Sequence, residues 1–174
     1  AYAWFLKAAN QGHATAQYRV GLCYENGRGV IKDVEKSAHW YEKAANQGVA
    51  DAQYNLGGCY KCGRGVPQDK RKAVHWYEQA AKQGDEDAQY NLGVCYENGD
   101  GVPQDVKKAF QWYEQAANQG LADGQYSLGE YYTNGIGIKQ DFKAAVYWYE
   151  QAVNQGFAMA QYSLGNCYRF GRGV

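Results

Sequence analysis

The sequence predicts an all-α fold, a stacked solenoid of antiparallel helix pairs, and three observations carry that prediction. The first is a period of 36 residues: Trp4, Trp40, Trp76, Trp112 and Trp148 fall on it, as do Gly12, Gly48, Gly84, Gly120 and Gly156, and Tyr18, Tyr54, Tyr90, Tyr126 and Tyr162. A fixed period of this size marks a repeat architecture in which each unit buries its apolar face on its neighbours. The second is that every period holds two segments with apolar residues three or four apart, which is one face of a helix. The third is punctuation: a glycine pair (Gly27 and Gly29, Gly63 and Gly65) ends one segment of each unit, and the single Gly12-type residue ends the other.

Taken in order, these signals place ten helices, at 2–11, 13–26, 33–46, 49–62, 69–82, 85–98, 105–118, 121–134, 141–154 and 157–170. In 85–98, Ala88, Leu92 and Cys95 form the buried face, Asp85, Glu86 and Asp87 complement the helix dipole, and Gly99 is the stop. In 105–118, Asp105 is placed as N-cap and Ala109, Trp112, Tyr113, Ala116 and Ala117 form the stripe. Helices this short are marginal alone, so burial of Trp and Tyr against the next unit supplies most of the stability. On that reading a fully buried Trp76 would cost about 3–5 kcal/mol on truncation to Ala. Ala1-Tyr2-Ala3-Trp4 aligns with Ser37-Ala38-His39-Trp40, and Gly171-Arg172-Gly173-Val174 stop within a turn. The expectation is one array over residues 1–174, about five units, cut from a longer one.

Composition narrows the function classes. The 174 residues are 45% apolar and 21% charged, ordinary for a globular chain, while the 16% aromatic share sits at repeated slots and reads as packed core. Formal net charge is zero, so the electrostatic footprint of a nucleic-acid binder is missing. No run approaches the ~18 apolar residues of a membrane span, so no membrane insertion is expected of these residues. Cys23, Cys59, Cys95 and Cys167 share one slot, which Tyr131 fills in the remaining unit, and Cys62 is extra. Equivalent residues on neighbouring units lie about 10 Å apart, beyond the ~7 Å limit of a disulfide. Reduced thiols suit a cytosolic compartment.

Several motifs invite sharper readings. The Gly-x-Gly-Val turns hint at a phosphate loop, but no Gly-Lys-Ser/Thr follows and no strand precedes, so they read as turn chemistry at positive φ. Cys59-x-x-Cys62 has metal or redox spacing, yet it has neither a second pair nor a nearby His, and reads as one packed and one groove thiol. His39 and His75 are too far apart, at a helix spacing of about 8–10 Å, for one zinc. Glu42, Glu78, Glu114 and Glu150 form a solvated row rather than a catalytic pair. No metal, cofactor or catalytic residue is assigned. Gly21, Gly57, Gly93, Gly129 and Gly165 lie mid-helix, where each costs roughly 1 kcal/mol against Ala. A close backbone approach, to the Ala73-type residue of the partner helix, is the expected reason.

The string Ala-Gln-Tyr-Asn-Leu-Gly-x-Cys-Tyr, then Gly-x-Gly-Val-Pro-Gln-Asp, Lys-Ala-x-x-Trp-Tyr-Glu-x-Ala-Ala-x-Gln-Gly, resembles the Sel-one-like repeat family, helical solenoids related to tetratricopeptide repeats. The likeness runs from Ala1 to Val174. It implies a right-handed superhelix with a concave face that acts as an adaptor in protein complexes. Cysteine-rich bacterial relatives carry a disulfide within each repeat; this chain, with one Cys per unit, departs from that branch.

In the tetratricopeptide relatives the first helix of each pair lines the concave groove. Carried over, the partner-binding residues are Asp51, Tyr54, Lys61, Asp87, Tyr90, Glu97, Asn98, Asp123, Tyr126, Glu130, Asn134, Tyr162, Asn166 and Arg169. These slots vary between units more than the Trp, Gly and Ala slots do. The repeated tyrosines read as at least half core. The leading expectation is a scaffold that holds a protein or peptide segment in the groove. The alternatives are a hydrolase-type enzyme on the same face, which a repeat unbroken by any unique site disfavours, and a structural or designed array that mainly self-associates through apolar end faces.

Overall fold

The computed structural model describes all residues, 1–174, and is all-helical. Its ten helices are α1 (Tyr2–Asn10), α2 (Ala14–Asn26), α3 (Val34–Asn46), α4 (Ala50–Cys62), α5 (Lys70–Lys82), α6 (Glu86–Asn98), α7 (Val106–Asn118), α8 (Ala122–Asn134), α9 (Phe142–Asn154) and α10 (Ala158–Arg169). Each starts within a residue of its expected position, and the offset has one cause. The expected starts are N-caps, whose backbone is still extended: Asp33, Asp69, Asp105 and Asp141 have φ near −150°. Each of these aspartates accepts hydrogen bonds from amides of the first turn, as Asp69 does from Arg71 and Lys72 at 3.0 Å. Asp85, expected among the first-turn charges, is also a cap, accepting from the Ala88 amide at 2.7 Å.

The chain divides into two compact units, residues 1–88 and 89–174, with the boundary inside α6. In the first, α1 packs on α2, α2 on α3, α3 on α4 and α4 on α5. Its core is the small and aromatic set Val20, Ala38, Tyr41, Ala45, Leu56 and Tyr77. In the second, α7 packs on α8, α8 on α9 and α9 on α10. Its core includes Leu92, Ala109, Tyr113, Leu128, Tyr131 and Tyr149.

The buried aromatic of each Trp-Tyr pair is the tyrosine, which corrects the expectation for Trp76. Tyr41, Tyr77, Tyr113 and Tyr149 are at most 2% exposed. Trp76, Trp112 and Trp148 are half-buried, and Trp4 is 74% exposed; only Trp40 is buried. The two rings are one residue, about 100°, apart on the helix, so the tyrosine takes the centre of the helix contact and the tryptophan lies at its side, where only Trp40 is covered as well. The tryptophan flanks the contact and covers its edge.

The same tyrosines correct the account of the mid-helix glycines. A Cβ on Gly57 would lie 2.7 Å from the Tyr77 ring, and one on Gly21 2.6 Å from the Tyr41 ring. Gly93 and Gly129 meet Tyr113 and Tyr149 in the same way. The opposing surface is the tyrosine ring, with the Ala73 carbonyl oxygen next at 3.3 Å from Gly57. Gly165 has nothing within 4 Å. In the turns, Gly65 is required twice over: its φ is +71°, and a side chain there would run into the Val34 carbonyl.

A buried glutamine ladder completes the packing, and its role was not assigned from sequence. Gln53, buried in α4, donates to the Ala45 carbonyl at 3.1 Å and accepts from Gln83 at 2.8 Å, so it ties α4 to the ends of α3 and α5. Gln17 repeats this with Ala9 and Gln47, and Gln125 with Ala117 and Gln155. The visible signal was a polar residue held in one slot of an otherwise apolar face.

Candidate functional site

Every residue expected to bind a partner lies on the first helix of a pair, and none of them is buried. In residues 1–88, Asp51 and Asp87 are exposed, and Tyr54 and Lys61 are half-buried. In residues 89–174, Asn98, Asn134, Tyr162 and Arg169 are exposed, while Tyr90, Glu97, Asp123, Tyr126, Glu130 and Asn166 are half-buried.

The tyrosines of this surface are shared with the core. Tyr54 lies against Tyr77 with ring centroids 5.9 Å apart, Tyr90 against Tyr113 at 5.6 Å, and Tyr126 against Tyr149 at 6.0 Å. Tyr18 does the same with Tyr41, and its hydroxyl accepts a 3.4 Å bond from Asn55. Burial, and then the nearby Asp123 carboxylate, raise the Tyr90 phenol above its ordinary value. Burial and Asp51 do so for Tyr18. These phenols therefore stay protonated and offer a donor beside a carboxylate. Tyr162 has no such second ring and is 70% exposed.

The glutamates of the surface are tied to the core tyrosines. Glu97 accepts from the Tyr113 hydroxyl at 2.8 Å, and Glu25 from Tyr41 at 2.6 Å. Arg64 reaches Glu25 at 3.5 Å. At the slot of Glu25 and Glu97 the last pair of unit two has Thr133, and Tyr149 turns instead to Glu130, one turn earlier on α8, while sharing a 3.0 Å contact with Thr133. Asn134 is partly committed to its own helix end, donating to the Glu130 carbonyl at 2.9 Å. Arg169 sits over the Phe170 ring at 5.3 Å. These long-range pairings, 16 or 19 residues apart, had no local sequence signal.

The other clusters are scattered. Cys59 is buried, with its thiol pushed up to about 11 by that burial, and Cys62 is exposed. His39 and His75 are exposed and edge-on to Trp40 and Trp76. No group of three or more His, Cys, Asp or Glu residues is placed to hold a metal ion. No helix is long and apolar enough to cross a membrane. Within each compact unit the first helices present polar and aromatic side chains, with half-buried phenols near carboxylates.

Comparison with known proteins agrees with the geometry. The Sel1 repeat profile matches residues 1–13, 14–49, 50–85, 86–121, 122–157 and 158–174. Among solved structures, a protective antigen of uropathogenic Escherichia coli with an SLR fold superposes with a TM-score of 0.96 at 40% identity, covering 99% of this chain and 37% of the antigen. A Sel1 repeat protein from Oxalobacter formigenes gives 0.89 at 36% identity, covering 98% of this chain and 68% of that one. Among curated proteins, the DAP3-binding cell death enhancer 1 of Rattus norvegicus is 51% identical over 37 residues, which are 21% of this chain and 7% of the relative. The chain thus spans a small part of that relative and just over a third of the antigen.

Proposed function

The chain belongs to the Sel1 repeat family, whose members generally serve as protein-interaction scaffolds, and from that premise we propose that it holds a peptide or protein segment along the first-helix surface of its units. The observation that carries the reading is the contrast between slots. The Tyr77-type, Gly57-type and Gln53-type residues are buried in the inner repeats and recur almost without change, whereas the first-helix slot of Lys61 holds Glu25, Glu97, Thr133 and Arg169 in the other repeats and that of Glu130 holds Leu22, Gly58, Val94 and Asn166. Packing holds the first set constant; a surface that reads a partner is free to vary.

Asp51→Lys combined with Asp87→Lys reverses two exposed charges without entering the core. Capture from a cell lysate, read by mass spectrometry, should recover a protein with the unaltered chain and about tenfold less of it with the variant at equal helicity. Equal recovery by both would overturn the assignment. Tyr90→Ala is a poor probe of the surface, because Tyr90 also packs on Tyr113.

A further inference from the structure

We propose that the notch between α8 and α10 takes the charged head of a lysine or arginine side chain of the bound partner, with the Glu130 carboxylate as its counter-ion. The proposal rests on the scaffold reading and names the chemistry that one subsite of it selects.

The notch is a cavity of about 300 Å³ lined by Tyr126, Glu130, Tyr162, Ser163, Asn166 and Arg172, among others. Glu130 breaks the repeat: the same slot holds Leu22, Gly58, Val94 and Asn166 in the other units. Its Oε1 accepts from the Tyr149 hydroxyl and, at 3.2 Å, from the Ser163 hydroxyl. Both donors are neutral and both use the same oxygen. Oε2 receives no hydrogen bond, and no Lys, Arg or His lies within ion-pair distance of it.

The corresponding notch in residues 1–88 shows what is different. There Glu25 accepts from Tyr41, and Arg64 neutralises it at 3.5 Å. Arg172 occupies the slot of Arg64, but its guanidinium lies over the Phe142 and Phe170 rings at 5.4 and 5.3 Å. One notch is charge-neutralised by the chain itself; the other presents a half-buried carboxylate with an uncommitted oxygen. A cation arriving there gains more than at an open surface, because the site is partly desolvated. The Tyr126 and Tyr162 rings beside it add a cation–π wall. Asn166 offers a further acceptor. A single carboxylate is too few ligands for a metal ion, and an anion would face Glu130 directly.

The test is a heteronuclear NMR titration with acetyl-glycyl-lysyl-glycinamide, its arginine counterpart and its norleucine counterpart. The two cationic peptides should shift the amides of Glu130, Ser163 and Asn166, and the norleucine peptide should not. Glu130→Gln keeps an acceptor for Tyr149 while removing the charge, and should weaken the cationic peptides about tenfold. Tyr162→Leu changes an exposed side chain and should weaken them about threefold. No shift with either cationic peptide, equal shifts with norleucine, or undiminished binding by both variants would overturn the proposal. The Asp51 and Asp87 variant tests the scaffold reading with different residues, so either proposal can fail without the other.

Discussion

Tyr113→Ala should cost about 3–5 kcal/mol of stability, and Trp112→Ala roughly half as much, although tryptophan is the larger side chain. The order follows from burial. Tyr113 is 1% exposed, lies edge-on to Tyr131 at 5.5 Å and tilted against Tyr90 at 5.6 Å, and sends its hydroxyl to Glu97. Its removal leaves a cavity against Gly93, which has no side chain to relax into it, and strips Glu97 of a donor. Trp112 is half-buried and its site is open to water, so no closed void forms. Chemical denaturation followed by far-ultraviolet circular dichroism reads the difference. A larger loss for Trp112→Ala would mean that the tryptophan is the central packing residue after all.

Gly93→Ala and Gly165→Ala should have opposite signs. Both glycines sit mid-helix in the same slot, and alanine gains about 1 kcal/mol of helix propensity at either. At Gly93 the added methyl would collide with the buried Tyr113 ring, which has no free space to yield. Overpacking of this kind costs about 1–3 kcal/mol or more, so the net expectation is a clear loss. At Gly165 nothing lies within 4 Å, and only the propensity gain remains. Thermal melts of the two variants beside the unaltered chain decide it. A stabilised Gly93→Ala would show that the Gly–Tyr contact is looser than the structure describes.

These two predictions also mark how far sequence reasoning reaches. The period, the ten helices, the Asp105 cap and the positive-φ turn glycines were legible because each rests on local chemistry that recurs from repeat to repeat, and the structure adds Asp33, Asp69 and Asp141 as caps of the same kind. Which ring of a Trp-Tyr pair turns inward was not legible, since both lie on the edge of the apolar stripe and the neighbouring helix decides. The partner of Gly57 was legible only in part: the Ala73 backbone does approach, at 3.3 Å, but the Tyr77 ring is nearer, because a close approach announces itself in sequence while the group that approaches does not. The carboxylate–phenol pairs, Glu97 with Tyr113 and Glu130 with Tyr149, join residues on different helices and have no spacing rule. Glu130 did carry a signal, as the one carboxylate in a slot otherwise apolar, small or amide, and it was read only as one more member of the surface. The expected surface residues lie unburied as a set, yet several of them are also packing or capping groups, which sequence variation alone does not separate.

A photo-crosslinking scan against the captured partner locates its binding surface. A photoreactive residue is placed in turn at Asp51 and Asn98 on the first helices, and at Glu42 and Glu114 on α3 and α7, all four exposed. Crosslinks are expected from Asp51 and Asn98 and none from Glu42 and Glu114. Crosslinks from Glu42 and Glu114 alone would contradict the first-helix assignment and move the interaction to the second-helix surface.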